Sequence, residues 1–369
     1  MVSIAREILL HDKLRFLITV ASLGFTIVMM VYNMGVFFGV VGDDGALIDR
    51  AHADLWVSEE DETHLNAPSR VPRTTLRWAR RLDGVNQVCA LDYSLGNLKI
   101  GDTQLVTVIG IDPTCPLFQP WDLAKDDVDA LQRRDTIIVD DLALRGINHA
   151  QLGDIVELNE REMRIVGVTH GNKSFSYAYV YVNFQTFEDI AGTAEHYSFV
   201  AVQLESEADR GRIARQLMQA SSKVTVSTAR EFRLATMMAL IAQGVGMIFV
   251  IVFVGVAVGM LIITLTMYTA TMERLRDFAI LKALGATRWK VWTIVLEQAI
   301  IEATVSFGIG LAASLGADRF VETVSGIRGR FPVPMVAGSF AVMVVLAIVG
   351  SLVSIRKATG VDPVMVFRR

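Results

Sequence analysis

Three signatures that would mark an enzyme or an energy-supplying subunit are missing from this chain of 369 residues. No Gly-x-x-x-x-Gly-Lys-Ser/Thr loop occurs, so ATP has no phosphate cradle of the usual kind. There is no Gly-x-Ser-x-Gly elbow and no His-Glu-x-x-His helix, which removes the commonest serine-hydrolase and zinc-protease readings. The six histidines, at positions 11, 52, 64, 149, 170 and 196, are scattered, and such residues are more often surface or turn residues than ligands. Cysteine is confined to Cys89 and Cys115. Two cysteines offer no metal-site spacing; they are either a disulfide, which an oxidising compartment permits, or two free thiols. The net charge of −4 says little, no nucleic-acid partner is expected, and an enzyme has little support.

What the chain has is apolar sequence, 52% of its residues, with a mean hydropathy of +0.42. The apolar residues gather into runs, and a bilayer core needs about 20 of them for one helical span. Runs 16–41 and 234–272 carry no charge, run 291–317 is interrupted only by Glu297 and Glu302, and a fourth run covers 331–355. Four crossings are expected. The second run exceeds one span, so one end is read as a stalk, with Gln243-Gly-Val-Gly246 marking either its entry to the membrane or a helix-packing site. A cleaved signal peptide competes for the first run, but the run is longer than a signal core and lacks a small-residue cleavage site.

Orientation follows the basic residues beside the spans. Arg6, Lys13 and Arg15 precede the first span, Arg274, Arg276, Lys282, Arg288 and Lys290 lie between the second and third, and Arg356, Lys357, Arg368 and Arg369 close the chain. The opposing loop 318–330 offers Arg319, Arg328 and Arg330. Both termini are therefore expected in the cytoplasm and segment 42–233 outside. Residues 1–15 read as an interfacial helix or a cytoplasmic extension of the first span, and 356–369 as a cytoplasmic tail.

Segment 42–233 alternates strand and helix patterns. Strands are expected at 54–58, 85–92, 105–111, 136–139, 155–158, 163–169, 177–182, 199–204 and 224–226, runs rich in Val, Ile, Tyr and Phe bounded by Gly, Asn and Asp. Helices are expected at 74–82, 184–190 and 208–220, and a hairpin should turn at Asn159 and Glu160. The expected fold class is thus a four-span α-helical membrane protein with a large α+β domain inserted between spans 1 and 2.

The segment 273–290 is the most informative. Charged side chains at this density cannot lie in hydrocarbon, so it should form a short helix at a membrane face. Leu275, Phe278, Ala279 and Lys282 follow helical spacing; Gly285 supplies a stop and Thr287 can cap the next helix. Arg274, Arg276, Lys282, Arg288 and Lys290, offset by Glu273 and Asp277, suit an acidic groove on a partner, or they satisfy positive-inside sorting and touch lipid phosphates. Glu302 falls near mid-membrane, where an acid is either functional or a protonated hydrogen-bond donor to a neighbouring helix. Tyr32, Asn33, Phe37 and Phe38 would line a lateral opening for an amphiphile or simply pack against helix and lipid.

The stretch Glu273-Arg-Leu-Arg-Asp-Phe-Ala-Ile-Leu-Lys-Ala-Leu-Gly-Ala286, the ending Arg356-Lys-Ala-Thr-Gly-Val-Asp-Pro363 and, less specifically, the hairpin from Leu152-Gly-Asp154 resemble the MacB/FtsX-like permease superfamily of ABC systems, and DevC-like exporters within it. The resemblance implies a homodimer whose coupling residues, Glu273, Arg274, Arg276, Asp277, Phe278, Ala279, Lys282, Ala283, Leu284, Gly285 and Ala286, dock a separate ABC ATPase. ATP and Mg would be bound by that partner, with no cofactor on this chain. It further implies an amphiphilic cargo (glycolipid, peptide, antibiotic or haem), a periplasmic adaptor and an outer-membrane duct, or else an FtsX-like signalling role toward a cell-wall hydrolase. Glu297 matches a common family acid, whereas Glu302 is additional and Phe307-Gly-Ile-Gly310 is thinner in glycine than the family pattern.

Overall fold

The computed structural model describes residues 13–60, 62–67, 69–123, 128–145, 150–174, 177–192, 195–206, 208–220, 223–273, 280 and 287–359. The chain divides into a helical unit, 1–39 with 245–369, and an inserted unit, 40–244.

Four helices among the described residues are long and apolar enough to span a bilayer: Phe16–Asp44, Met247–Glu273, Trp289–Thr323 and Val333–Leu352. In the helical unit Leu23, Ile27 and Val31 meet Ile263, Met267, Ala303 and Phe307. Lipid tails are as apolar as leucine, so association depends on close backbone approach at small residues. Gly310 shows it, since a Cβ there would lie 2.7 Å from the Ile27 Cβ and 2.8 Å from the Gly24 carbonyl oxygen. The outward surface is apolar, with Phe253 72% and Leu261 70% exposed, as lipid contact requires.

Two boundaries differ from the expectation. The third helix runs from Arg288 to Ser325, past the loop expected from residue 318, because Asp318 turns inward and accepts a hydrogen bond from Gly329 N at 2.7 Å, while Arg330 N donates to the Gly35 carbonyl at 2.9 Å. The second apolar run is not one long helix. Ala229–Leu240 and Met247–Glu273 are separate helices joined by a π turn, Ile241–Val245, in which Gly244 has φ 117°. A side chain there would be strained, which favours glycine at this position.

The inserted unit is an α+β domain. Its strands are β1 (Leu55–Glu59), β2 (Val71–Pro72), β3 (Val85–Ile100), β4 (Asp102–Ile111), β5 (Thr136–Asp140), β6 (Ile155–Leu158), β7 (Arg161–Thr169), β8 (Tyr179–Asn183), β9 (His196–Tyr197), β10 (Phe199–Leu204) and β11 (Val224–Thr228). The main sheet runs β11-β1-β10-β3-β4-β8-β5-β7-β6, and β3 pairs again with β6, closing β3-β4-β8-β5-β7-β6 into a six-stranded barrel. Strand β3 serves both parts: its first half pairs β10 and its end pairs β6 through Leu98 and Lys99. Leu98, Val108, Ile137, Val156, Ile165 and Val182 belong to the barrel core.

The open part of the sheet is buried on both faces, which is why its strands read as near-continuous apolar runs. Leu55, Val57, Val200 and Val202 face helices Arg73–Ala79 and Arg210–Ala220. The alternate residues Trp56, Phe199 and Ala201 enter the opposite core with Phe232 and Phe118. That second core also holds a disulfide between Cys89 and Cys115, whose Cα atoms are 6.1 Å apart, so the free-thiol alternative is set aside. The expected hairpin turns at Asn159 (φ 48°) and Glu160 (φ 67°). Asn159 tolerates this left-handed region, and its Oδ1 accepts from Asn97 N at 2.8 Å.

Candidate functional site

Most of the sequence-assigned coupling segment, Arg274, Arg276, Asp277, Phe278, Ala279, Lys282, Ala283, Leu284, Gly285 and Ala286, lies outside the described residues. Its flanks are described. Glu273 ends one apolar helix and Thr287 is the N-cap of the next, although its side chain makes no capping hydrogen bond, contrary to the expectation. Trp289 is 77% exposed and its ring lies 6.0 Å from that of Trp292. Tryptophan is enriched at headgroup depth, so this pair marks the interfacial end of the third span, a signal the charge-based reading passed over.

The third span buries a regular stripe. Gln298, Glu302 and Ser306, each four residues apart, are all buried, interleaved with Ala299, Ala303 and Phe307 of the helical core. Glu297 is only half-buried, so the two acids occupy different faces. Glu302→Gln preserves size and hydrogen-bonding capacity and should leave the melting temperature of the purified full chain within about 2 °C, whereas Glu302→Leu, which takes the polar group out of a buried stripe, should destabilise by about 1–3 kcal/mol. A melting temperature lowered as much in the glutamine variant would instead show that the fold uses the charge itself.

On the first span, Asn33 spends its amide on its own helix, donating to the Met29 carbonyl at 2.7 Å. Tyr32 is half-buried. Phe37 is buried and sets its ring edge-on to Phe249 of the second span at 4.8 Å, and Phe38 lies 5.7 Å from Phe37, more exposed. Phe37 is therefore a helix-packing residue, and Phe38 faces outward.

The inserted unit holds a charged anchor that the sequence reading did not single out. Asp43 pairs with Lys173 at 3.1 Å, Asp44 accepts from Asn66 at 2.9 Å, and Asp49 pairs with Arg233 at 2.6 Å. The Arg233 guanidinium lies over Gly45, where any Cβ would collide with it. Helix Ala229–Leu240 starts in a complete capping box between Thr228 and Glu231, and its Thr236 hydroxyl accepts from Leu65 N at 3.1 Å. Asp43 and Asp44 fasten the entering segment to Lys173 and Asn66, and the Asp49–Arg233 pair holds that segment, 43–49, to the leaving helix 229–240. Between them lies a cavity of about 250 Å³ bordered by Val41, Leu234, Met237 and Leu240. The Ser/Thr-x-x-Glu signature of the cap was present in the sequence.

A helical unit able to span a bilayer four times, with an α+β domain between its first two spans, defines the class as a polytopic membrane protein with a large inserted domain. Family models refine it. The MacB-like periplasmic core domain matches residues 16–220, and the FtsX-like permease C-terminal domain matches residues 249–363. The first match alone covers more than half of the chain, which therefore belongs to the MacB/FtsX-like permease superfamily.

Similar proteins include the uncharacterized ABC transporter permease YknZ of Bacillus subtilis, 25% identical over 231 residues, covering 59% of this chain and 57% of that one. The uncharacterized ABC transporter permease MJ1507 of Methanocaldococcus jannaschii is 24% identical over 186 residues, 48% of this chain and 46% of that one. The matches thus span about half of these relatives' length. Among solved structures, the periplasmic region of MacB from Actinobacillus actinomycetemcomitans aligns with TM-score 0.39 and 14% identity over 50% of this chain and 92% of that one. The extracellular domain of YknZ from Gram-positive bacteria aligns with TM-score 0.37 and 18% identity over 47% and 98%.

Proposed function

We propose that the chain is the permease subunit of an ABC exporter of the mechanotransmission type, in which ATP hydrolysis on a separate subunit moves the inserted domain and expels an amphiphilic cargo. The observation that carries this reading is the charged segment 273–290, which lies between the ends of two apolar helices and inside the match to the FtsX-like permease C-terminal domain. A family named for a periplasmic core domain supports placing 42–233 outside the cytoplasmic membrane, with both termini and the coupling segment inside. The subunit acts as a homodimer with two ATPases, ATP and Mg being theirs. The closed barrel and the disulfide suit a domain that moves as a rigid body. The Asp49–Arg233 pair ties its entering and leaving segments together, so that displacement of one is passed to the other.

The test is reconstitution of the full chain with its cognate ATPase in vesicles. Ala279→Asp or Leu284→Asp should abolish co-purification of the ATPase and its coupled transport, because a buried unpaired carboxylate at a docking surface costs several kcal/mol. Unchanged transport would overturn the assignment. Stimulation of hydrolysis by a soluble cell-wall hydrolase, and by no lipid or peptide, would support the FtsX-like signalling role instead.

A further inference from the structure

The helical layer over the open part of the sheet carries arginine without acid. Helices Arg73–Ala79 and Arg210–Ala220 contain no aspartate or glutamate, in a chain whose overall net charge is −4. Most of the arginines on or beside them are engaged. Arg73 pairs with Glu188 and Arg210 with Asp54 at 2.7 Å. Arg212 donates to the Asp83 carbonyl at 3.3 Å, Arg215 to the Gly211 carbonyl at 3.1 Å and Arg80 to the Val88 carbonyl at 3.4 Å. Arg77 and Arg81 have no ion pair among the described residues, and both are exposed.

These two arginines are placed together. Thr74, Arg77, Trp78 and Arg81 follow the i, i+3, i+4, i+7 spacing that brings side chains to one face, and the turn continues past the helix end because Arg81 N donates to the Trp78 carbonyl at 3.0 Å. With Thr75 they line a cavity of about 360 Å³. Thr75 is 2% exposed, yet its Oγ1 has no hydrogen-bond partner among the described residues. A buried hydroxyl without a partner is uncommon, since desolvating it is unfavourable unless something supplies the bond. Two unpaired guanidinium forks beside that hydroxyl are complementary to an oxyanion with more than one acceptor oxygen. The half-exposed Trp78 adds an apolar face against which a ring can lie.

We propose that this cavity binds a phosphate monoester carried on a sugar or polyol ring, Arg77 and Arg81 holding the phosphate, Thr75 donating to it and Trp78 covering the ring. The site stands apart from the proposed export function, because binding needs no ATPase. It is tested on the detergent-purified full chain by titration calorimetry with glucose 1-phosphate, glucose and inorganic phosphate. Glucose 1-phosphate should bind, glucose should not, and inorganic phosphate should bind more weakly. Arg77→Gln and Arg81→Gln should each weaken glucose 1-phosphate about tenfold, the loss of one charge-assisted hydrogen bond, without altering the circular dichroism or the melting temperature.

Calorimetry with glucose 1-phosphate on the chain reconstituted in phosphatidylcholine nanodiscs, with and without phosphatidylinositol 4-phosphate, separates the sources. An affinity unchanged by the phosphorylated lipid supports a free ligand, and an affinity weakened by its competition supports a lipid headgroup. Equal binding of glucose and glucose 1-phosphate, no binding by the wild-type chain, or unchanged affinity in both arginine variants would each overturn the proposal. Inorganic phosphate binding as tightly as the sugar phosphate would overturn its ring-binding part. None of these results bears on coupling to the ATPase, so the two readings fail separately.

Discussion

Trp56→Ala is expected to destabilise the inserted domain by about 3–5 kcal/mol, at the upper end of what one truncation does. The indole is 0% exposed. It stacks on Phe232 at 4.8 Å with an interplanar angle of 8° and meets Phe118 at 5.5 Å and Phe199 at 6.4 Å edge-on, at 63° and 67°. Each partner comes from a different element: Phe199 from β10, Phe118 from the turn after Cys115, and Phe232 from the helix that leads toward the second span. Removing the ring leaves a cavity where these elements meet, and a packed interior does not fill it by small adjustments. Thermal unfolding of the full chain in detergent should show the inserted domain's transition lowered by roughly 6–20 °C, with proteolytic cuts appearing first between residues 42 and 244. Trp56→Phe, which keeps the stacking on Phe232, should lose much less. A melting temperature within about 2 °C of wild type in the alanine variant would mean that this cluster does not organise the domain.

How much of this fold is legible in the sequence depends on whether its cause is local. The spans are local: an uncharged run of sufficient length has few alternatives. Strands β6 and β10 coincide residue for residue with the expectations at 155–158 and 199–204, because both are short apolar runs ended by turn-forming residues. Strand β3 does not. Its expected end at residue 92 reflects the composition of its second half, since Ser94, Gly96, Asn97 and Lys99 are poor strand formers; they are extended because β4 and β6 pair with them. The barrel closure rests on that pairing of residues some 60 positions apart, for which local pattern carries no signal. The helix Ala229–Leu240 is hidden by apolar residues continuing beyond it, although Thr228 and Glu231 announce its start.

The candidate sites divide in the same way. The segment 273–290 is conspicuous because its charges interrupt apolar sequence, and Glu302 because it lies within a span. Asp43, Asp44, Asp49 and Arg233, like Arg77 and Arg81, are charges in a domain with many charges, and only the tertiary structure shows which are paired and which face a cavity.

Asp92→Asn should make the inserted domain more stable at pH 8 and leave it nearly unchanged at pH 3.5. Asp92 lies on β3 and is 1% exposed. Its Oδ1 accepts a hydrogen bond from Ser198 N at 2.8 Å, while Oδ2 has no hydrogen-bond partner among the described residues. Burial pushes the carboxyl up from 3.8 to about 7, against the opposing pull of the Ser198 hydrogen bond and the Arg73 charge, with Glu188 adding a smaller push upward. The raised value fixes the sign. Between about pH 4 and pH 7 the folded chain holds a proton that the unfolded chain has released, so stability falls with rising pH through this window and levels off above it. The shift corresponds to about 4 kcal/mol at most, an upper value because Arg73 and Glu188 respond to the same change.

Asparagine keeps an acceptor for Ser198 N, puts a neutral amide where Oδ2 was and does not ionise. The variant should therefore gain about 2–4 kcal/mol over wild type at pH 8 and differ by less than about 1 kcal/mol at pH 3.5. Asp140, raised to about 6 by burial, adds a fall of the same sign in both proteins, so the difference between them isolates Asp92. Urea unfolding of the two full chains at the two pH values provides the measurement. A wild-type advantage at pH 8 would show that the ionised carboxylate is stabilised where it lies, with Arg73 outweighing the burial that otherwise keeps the proton on.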